Sequence, residues 1–90
     1  MIIERYNSLK VFHLDNGGLE LCADPNLDIE KFIKSAIPEA MSYVKEQELE
    51  GVSLYGPFEI EVYVGKDMSV NEIVVIYEEI LYRSTGLTIS

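Results

Sequence analysis

The tetrapeptide Asp15-Asn16-Gly17-Gly18 separates two runs of alternating apolar residues, one through Phe12 and Leu14, the other through Leu19 and Leu21. An Asn-Gly pair suits a two-residue type I′ turn, in which both central residues need φ > 0, so the segment reads as a β-hairpin. A turn centred on Asn16-Gly17 pairs Leu14 with Leu19 and Phe12 with Leu21 on one apolar face. It sets His13 opposite Glu20, and Val11 opposite Cys22, on the other. A slip of one residue would exchange the two faces, so the register is a strict expectation.

Around this hairpin the period of hydrophobicity changes along the chain. Ile2 to Tyr6 reads as a further strand with Asn7-Ser8 as its exit, and Asp24-Pro25-Asn26 ends the sheet and opens a helix. Ile29, Phe32, Ile33, Ala36, Ile37, Ala40, Met41 and Val44 fall on one helical face. Pro38 interrupts that stripe without shifting its phase, which predicts a kinked helix or two short helices in line, with Gly51 as the stop. Val52 to Tyr55 reads as a short strand. After Gly56-Pro57, the apolar residues Phe58, Ile60, Val62 and Val64 alternate with Glu59, Glu61 and Tyr63, predicting a half-buried strand with an acidic outer face.

Ser69-Val70-Asn71-Glu72 is a capping box, with Met68 and Ile73 spaced as a hydrophobic staple. The helix it starts buries Val70, Ile73, Val74, Tyr77, Ile80 and Leu81, and Gly86 is placed to cap its end. Val75, Ile76 and Tyr82 widen the apolar surface beyond one stripe, which predicts a helix that is either sandwiched or has a partner on its second side. Leu87-Thr88-Ile89 is a candidate closing strand. The expected fold class is α+β: one domain over residues 1–90, a small antiparallel or mixed sheet in the order ββ(β)αβα, and two helices packed on it.

Chemistry is sparse by comparison. The 90 residues hold one His, one Cys and no Trp, and the lone Cys22 points to a reducing, cytoplasmic setting. No apolar run is long enough to span a bilayer, and Glu4-Arg5 interrupts the N-terminus too early for a signal peptide. Asp24, Asn26, Asp28 and Glu30 alternate like the opening of a calcium loop. However, Ile29 stands where the sharp turn needs Gly, and Ser35 where a bidentate Glu belongs. Asp24 or Asn26 as a helix cap is the simpler account, and no metal is expected. His13 with Glu20 or Cys22 is the one constellation suggestive of acid–base or thiol chemistry, but cross-strand pairs of this kind are commonly structural. Glu59 and Glu61 on one open strand face lack the burial that would raise a carboxyl pKa for glycoside chemistry. No nucleotide-binding or zinc spacing is present, so neither catalytic residues nor a cofactor is expected.

Charge is the remaining signal. Sixteen carboxylates against seven Lys and Arg give a net charge of −9. From residue 46 onward, nine carboxylates (Glu46, Glu48, Glu50, Glu59, Glu61, Asp67, Glu72, Glu78 and Glu79) face two cations, Lys66 and Arg83. Such a surface repels nucleic acid and anionic membrane and attracts basic protein. The leading expectation is a non-enzymatic interaction protein, an inhibitor or immunity-type protein that covers a basic, nucleic-acid-binding site on a larger partner, with DNA mimicry as one form. Its partner-binding residues are expected to be Glu59, Glu61, Tyr63, Glu72, Val75, Glu78, Glu79 and Tyr82. The alternative is a homodimeric accessory subunit associating through the C-terminal helix. A small enzyme built on His13 ranks last.

Overall fold

The computed structural model describes residues 2–6 (backbone only), 8–24 and 26–87. Five strands, β1 (Ile2–Tyr6), β2 (Leu9–His13), β3 (Leu19–Ala23), β4 (Gly51–Tyr55) and β5 (Glu61–Gly65), form one mixed sheet in sequential order. All neighbours are antiparallel except β3 and β4, which are parallel. A parallel pair needs a crossover, and the long central helical segment supplies it. The chain order is therefore βββαββα, an α+β fold in which the central connection and the C-terminal helix α3 (Val70–Thr85) pack on the sheet.

The crossover shows how the chain absorbs Pro38. It begins as α1 (Ile29–Lys31), widens into a π-helical segment at Phe32–Ala36, and continues as α2 (Ile37–Glu46). Proline has no N–H to give the carbonyl four residues back, and its ring crowds that carbonyl. The wider π turn relieves both problems, with the Ile37 N–H donating to the Phe32 carbonyl. The apolar stripe keeps its phase, so Phe32, Ala36, Ile37, Ala40, Met41 and Val44 all stay buried, joined by Tyr43.

Both ends of this helical segment differ from expectation. The cap is Asp28 rather than Asp24 or Asn26: its Oδ1 accepts from the Lys31 N–H at 2.8 Å. Asp24 instead accepts from the Asn26 N–H, forming a local turn. At the other end the helix stops before Gly51, with Glu48 left-handed at φ 54. The Leu49 N–H donates to Val44 and the Glu48 N–H to Lys45, the paired bonds of a Schellman ending. Gly51 is the first residue of β4.

The hairpin register is also corrected. His13 pairs with Leu19, Phe12 with Glu20, Val11 with Leu21 and Lys10 with Cys22, one residue away from the expected pairing. The turn is a three-residue loop rather than a two-residue one. The Gly17 N–H donates to the Leu14 carbonyl at 3.0 Å, and the Leu14 N–H to the Gly18 carbonyl at 2.9 Å. Only Gly17 has positive φ, at 86, as a type I turn followed by a left-handed bulge residue requires. The Asn16 side chain accepts from the Gly18 N–H and holds this form. Leu9 and Val11 thus face the helices, and Phe12 faces away.

α3 matches its sequence expectation. Ser69 Oγ accepts from the Glu72 N–H while Glu72 accepts from the Ser69 N–H, and Gly86 ends the helix in the left-handed region. Ile73, Tyr77 and Leu81 are buried, with Val70, Val74, Ile80 and Met68 partly buried against the same core. The Tyr77 ring lies 4.6 Å from that of Phe32. Its hydroxyl is buried with no hydrogen-bond partner among the described residues, and burial pushes its pKa up. Leu87 lies outside any strand, and the rest of the expected closing strand lies outside the described residues.

Candidate functional site

The helical layer covers one face of the sheet and leaves the other open. Along β2 to β5 the covered positions include Leu9, Val11, Leu21, Val52, Leu54, Val62 and Val64, all buried, with His13, Leu19 and Ala23 partly buried at the strand ends. The open positions are Lys10, Phe12, Glu20, Cys22, Ser53, Tyr55, Glu61 and Tyr63, partly or fully exposed. Strand alternation alone produces this division, because neighbouring side chains point to opposite faces.

Three aromatic rings and two carboxylates dominate the open face. Tyr63 is 55% exposed and lies over the start of β4, where a Cβ on Gly51 would overlap its ring and hydroxyl. The glycine leaves room for the ring to lie flat against the strand. Tyr55 pairs with Glu61 across β4 and β5 and with Cys22 across β3 and β4. The Glu61 charge, followed by burial and the charge of Glu20, pushes the Tyr55 phenol above its usual range. Burial, then Glu20, raises the Cys22 thiol pKa, partly offset by Lys10. A raised thiol pKa holds the sulfur protonated, which disfavours it as a nucleophile.

The His13 constellation does not assemble. His13 shares the covered-side phase with Val11, whereas Glu20 and Cys22 lie on the open side. The sheet itself separates the imidazole from both proposed partners. Among the described residues no three of His, Cys, Asp and Glu come together to hold a metal ion.

Seven of the eight expected partner-binding residues fall into two groups. Glu61 and Tyr63 lie on the open face of β5, while Glu72, Val75, Glu78, Glu79 and Tyr82 lie on α3, which packs on the covered side. Val75, Ile76 and Tyr82 are exposed, so among the described residues α3 is not sandwiched within the fold. Because the α3 residues point away from the core, the two groups look outward from opposite layers. Glu59 is in neither group. It does not share a strand face with Glu61: Pro57–Glu59 form a 3₁₀ turn, with Phe58 at φ 63 and Glu59 at φ 60, and β5 begins only at Glu61.

Sequence reasoning missed Phe12 and Glu20 as sharing the open face with Tyr55, Glu61 and Tyr63. Their membership depends on the hairpin register and on β3 lying beside β4, and neither follows from local pattern. The free edge of β5 is also short. The Gly56–Ile60 and Lys66–Glu50 bonds show that even-numbered residues point their backbone groups toward β4. Odd-numbered residues therefore face the edge. Met68 takes both groups of Gly65, through its Sδ at 3.3 Å and its N–H at 3.1 Å, so among the described residues Glu61 and Tyr63 are left to offer backbone groups there. That closure limits strand-to-strand association at this edge.

Among the described residues no helix is long and apolar enough to cross a membrane. Comparison with protein-family models, curated proteins and solved structures found no match to this chain.

Proposed function

We propose that this protein is a non-enzymatic interaction protein that binds a basic surface of a larger partner through the uncovered face of its sheet. One observation carries the reading: the strands whose buried, helix-facing residues are aliphatic present Phe12, Tyr55 and Tyr63 together with Glu20 and Glu61 on the other side. Aromatic rings supply contact area at small entropic cost, and carboxylates around them steer and select a basic partner. The acidic excess is barely neutralised internally. Lys66 is paired with Glu50 at 3.1 Å and Arg83 with Glu79 at 2.6 Å, so neither cation of the C-terminal half offsets Glu59 or Glu61. The partner's basic surface is one that otherwise holds nucleic acid, and the protein acts as its inhibitor. The reading sets this in the cytoplasm, where Cys22 stays reduced.

The test is retention of a partner isolated on the immobilised protein, measured across a salt gradient and against added nucleic acid. Binding should weaken steeply with salt and be lost in Glu61→Lys combined with Tyr63→Ala. Unchanged affinity and salt slope in that variant would remove the sheet face from consideration.

A second reading rests on Val75, 61% exposed, and Tyr82, 54% exposed, on the outer side of α3. They support homodimerisation through that helix. The patch is small beside the roughly 800 Å² per partner of a stable interface, and two copies at −9 repel each other. Sedimentation of wild type against Val75→Glu decides it: a wild type that is monomeric at high concentration ends the dimer reading.

A further inference from the structure

The connection between β4 and β5 presents an apolar side chain outward against the phase of its own sequence. Phe58 alternates with Ile60, Val62 and Val64, which are all buried, yet it is 58% exposed. Left-handed backbone at Phe58 and Glu59 turns it out, a conformation that residues carrying a Cβ rarely adopt. The loop is held in place by its own bonds and packing. The Gly56 N–H donates to the Ile60 carbonyl at 2.8 Å and the Ile60 N–H to Pro57 at 3.4 Å, Pro57 is buried, and the Phe32 ring abuts Gly56 so closely that a Cβ there would overlap it.

Phe58 and Pro57 line an apolar depression of about 470 Å³ with Leu27 and Ile29, and its charged wall is Asp28. Around the end of the strands, Glu59 lines a second depression with Glu20. Among the described residues no Lys or Arg lines either one.

We propose that Phe58 anchors a docking site for a basic peptide segment of a partner protein. An apolar side chain of the segment enters the depression against Phe58, Leu27 and Ile29, and flanking Lys or Arg residues pair with Asp28 and Glu59. Charge complementarity selects this occupant: a second copy of the chain, or an anionic lipid surface, would bring negative charge to a rim that is already negative. The proposal rests on the reading above in taking the partner to be basic, but it places the anchor at the rim of the sheet rather than on its open face.

The experiment selects short random peptides displayed on phage against the intact protein. It then measures the Kd of an enriched peptide for wild type, Phe58→Gly and Tyr63→Ala, with the Tm of each. Enriched peptides should carry one large apolar residue flanked by Lys or Arg. Phe58→Gly should weaken binding about thirtyfold, a hot-spot loss. Its Tm should hold or rise, because glycine accepts φ 63 without a steric penalty. A fall in Tm would make Phe58 a structural residue and overturn the proposal. Failure to enrich any peptide, enrichment of peptides without basic residues, or unchanged affinity in Phe58→Gly would overturn it as well. Loss in Tyr63→Ala alone would overturn it while upholding the sheet face, and loss in Phe58→Gly alone would do the reverse.

Discussion

On the covered face of the sheet, Val11, Leu21, Leu54, Val62 and Val64 are aliphatic and enclosed by the helical layer. On the open face the same strands present rings and carboxylates, with Tyr63 half in solvent. The two sets alternate residue by residue along one backbone, so strand propensity is shared and only the environment differs. Burial makes one face a determinant of stability, and exposure leaves the other free to carry recognition. The difference teaches that the aromatic residues of this protein need not be read as core: Tyr77 and Phe32 are core, whereas Tyr63 and Tyr55 are surface.

The largest test of that contrast is Leu54→Ala. Its side chain is fully buried on β4, an interior strand of the sheet, so the variant should lose about 2–5 kcal/mol in urea unfolding. A loss no greater than that of Tyr63→Ala, expected at about 1 kcal/mol or less, would collapse the distinction between the faces. The corrected register adds a finer comparison. Val11→Ala should cost more than Phe12→Ala although it removes fewer atoms, and the reverse order would restore the two-residue turn.

Tyr77→Phe comes next. Removing a buried hydroxyl that has no partner among the described residues should stabilise the protein by about 1 kcal/mol. Destabilisation would reveal a hydrogen bond to that hydroxyl. The smallest effect is expected at Cys22, which burial and Glu20 hold protonated. Glu20→Gln removes a negative charge, so the thiol pKa should fall and alkylation at pH 8 should speed up modestly. A slower reaction would mean that Glu20 does not act on the thiol through its charge.

The features legible in the sequence were those whose partners lie within a turn or two. The Ser69–Glu72 capping box, the apolar stripe through Pro38 and the Gly86 cap all close over a few residues, so local chemistry suffices. Phe58 shows the limit. Alternation assigns it to a strand, but Gly56 lies against Phe32 and Pro57 is buried, and these distant contacts turn the chain before the strand begins.

The candidate site was legible in its residue types and not in its geography. Glu61 and Tyr63 were identified as outward, but their grouping with Tyr55, Glu20 and Phe12, and their separation from the acids of α3, come from strand order and layering. Sequence by itself determined most of the elements, the α+β class, the acidity and the apolar excess on α3, because composition and short-range periodicity carry them. Tertiary structure alone decided the hairpin register, the outward turn of Phe58 and the face to which each strand residue belongs. A turn of two residues and one of three both satisfy local preference, and only burial against helices remote in the chain distinguishes them.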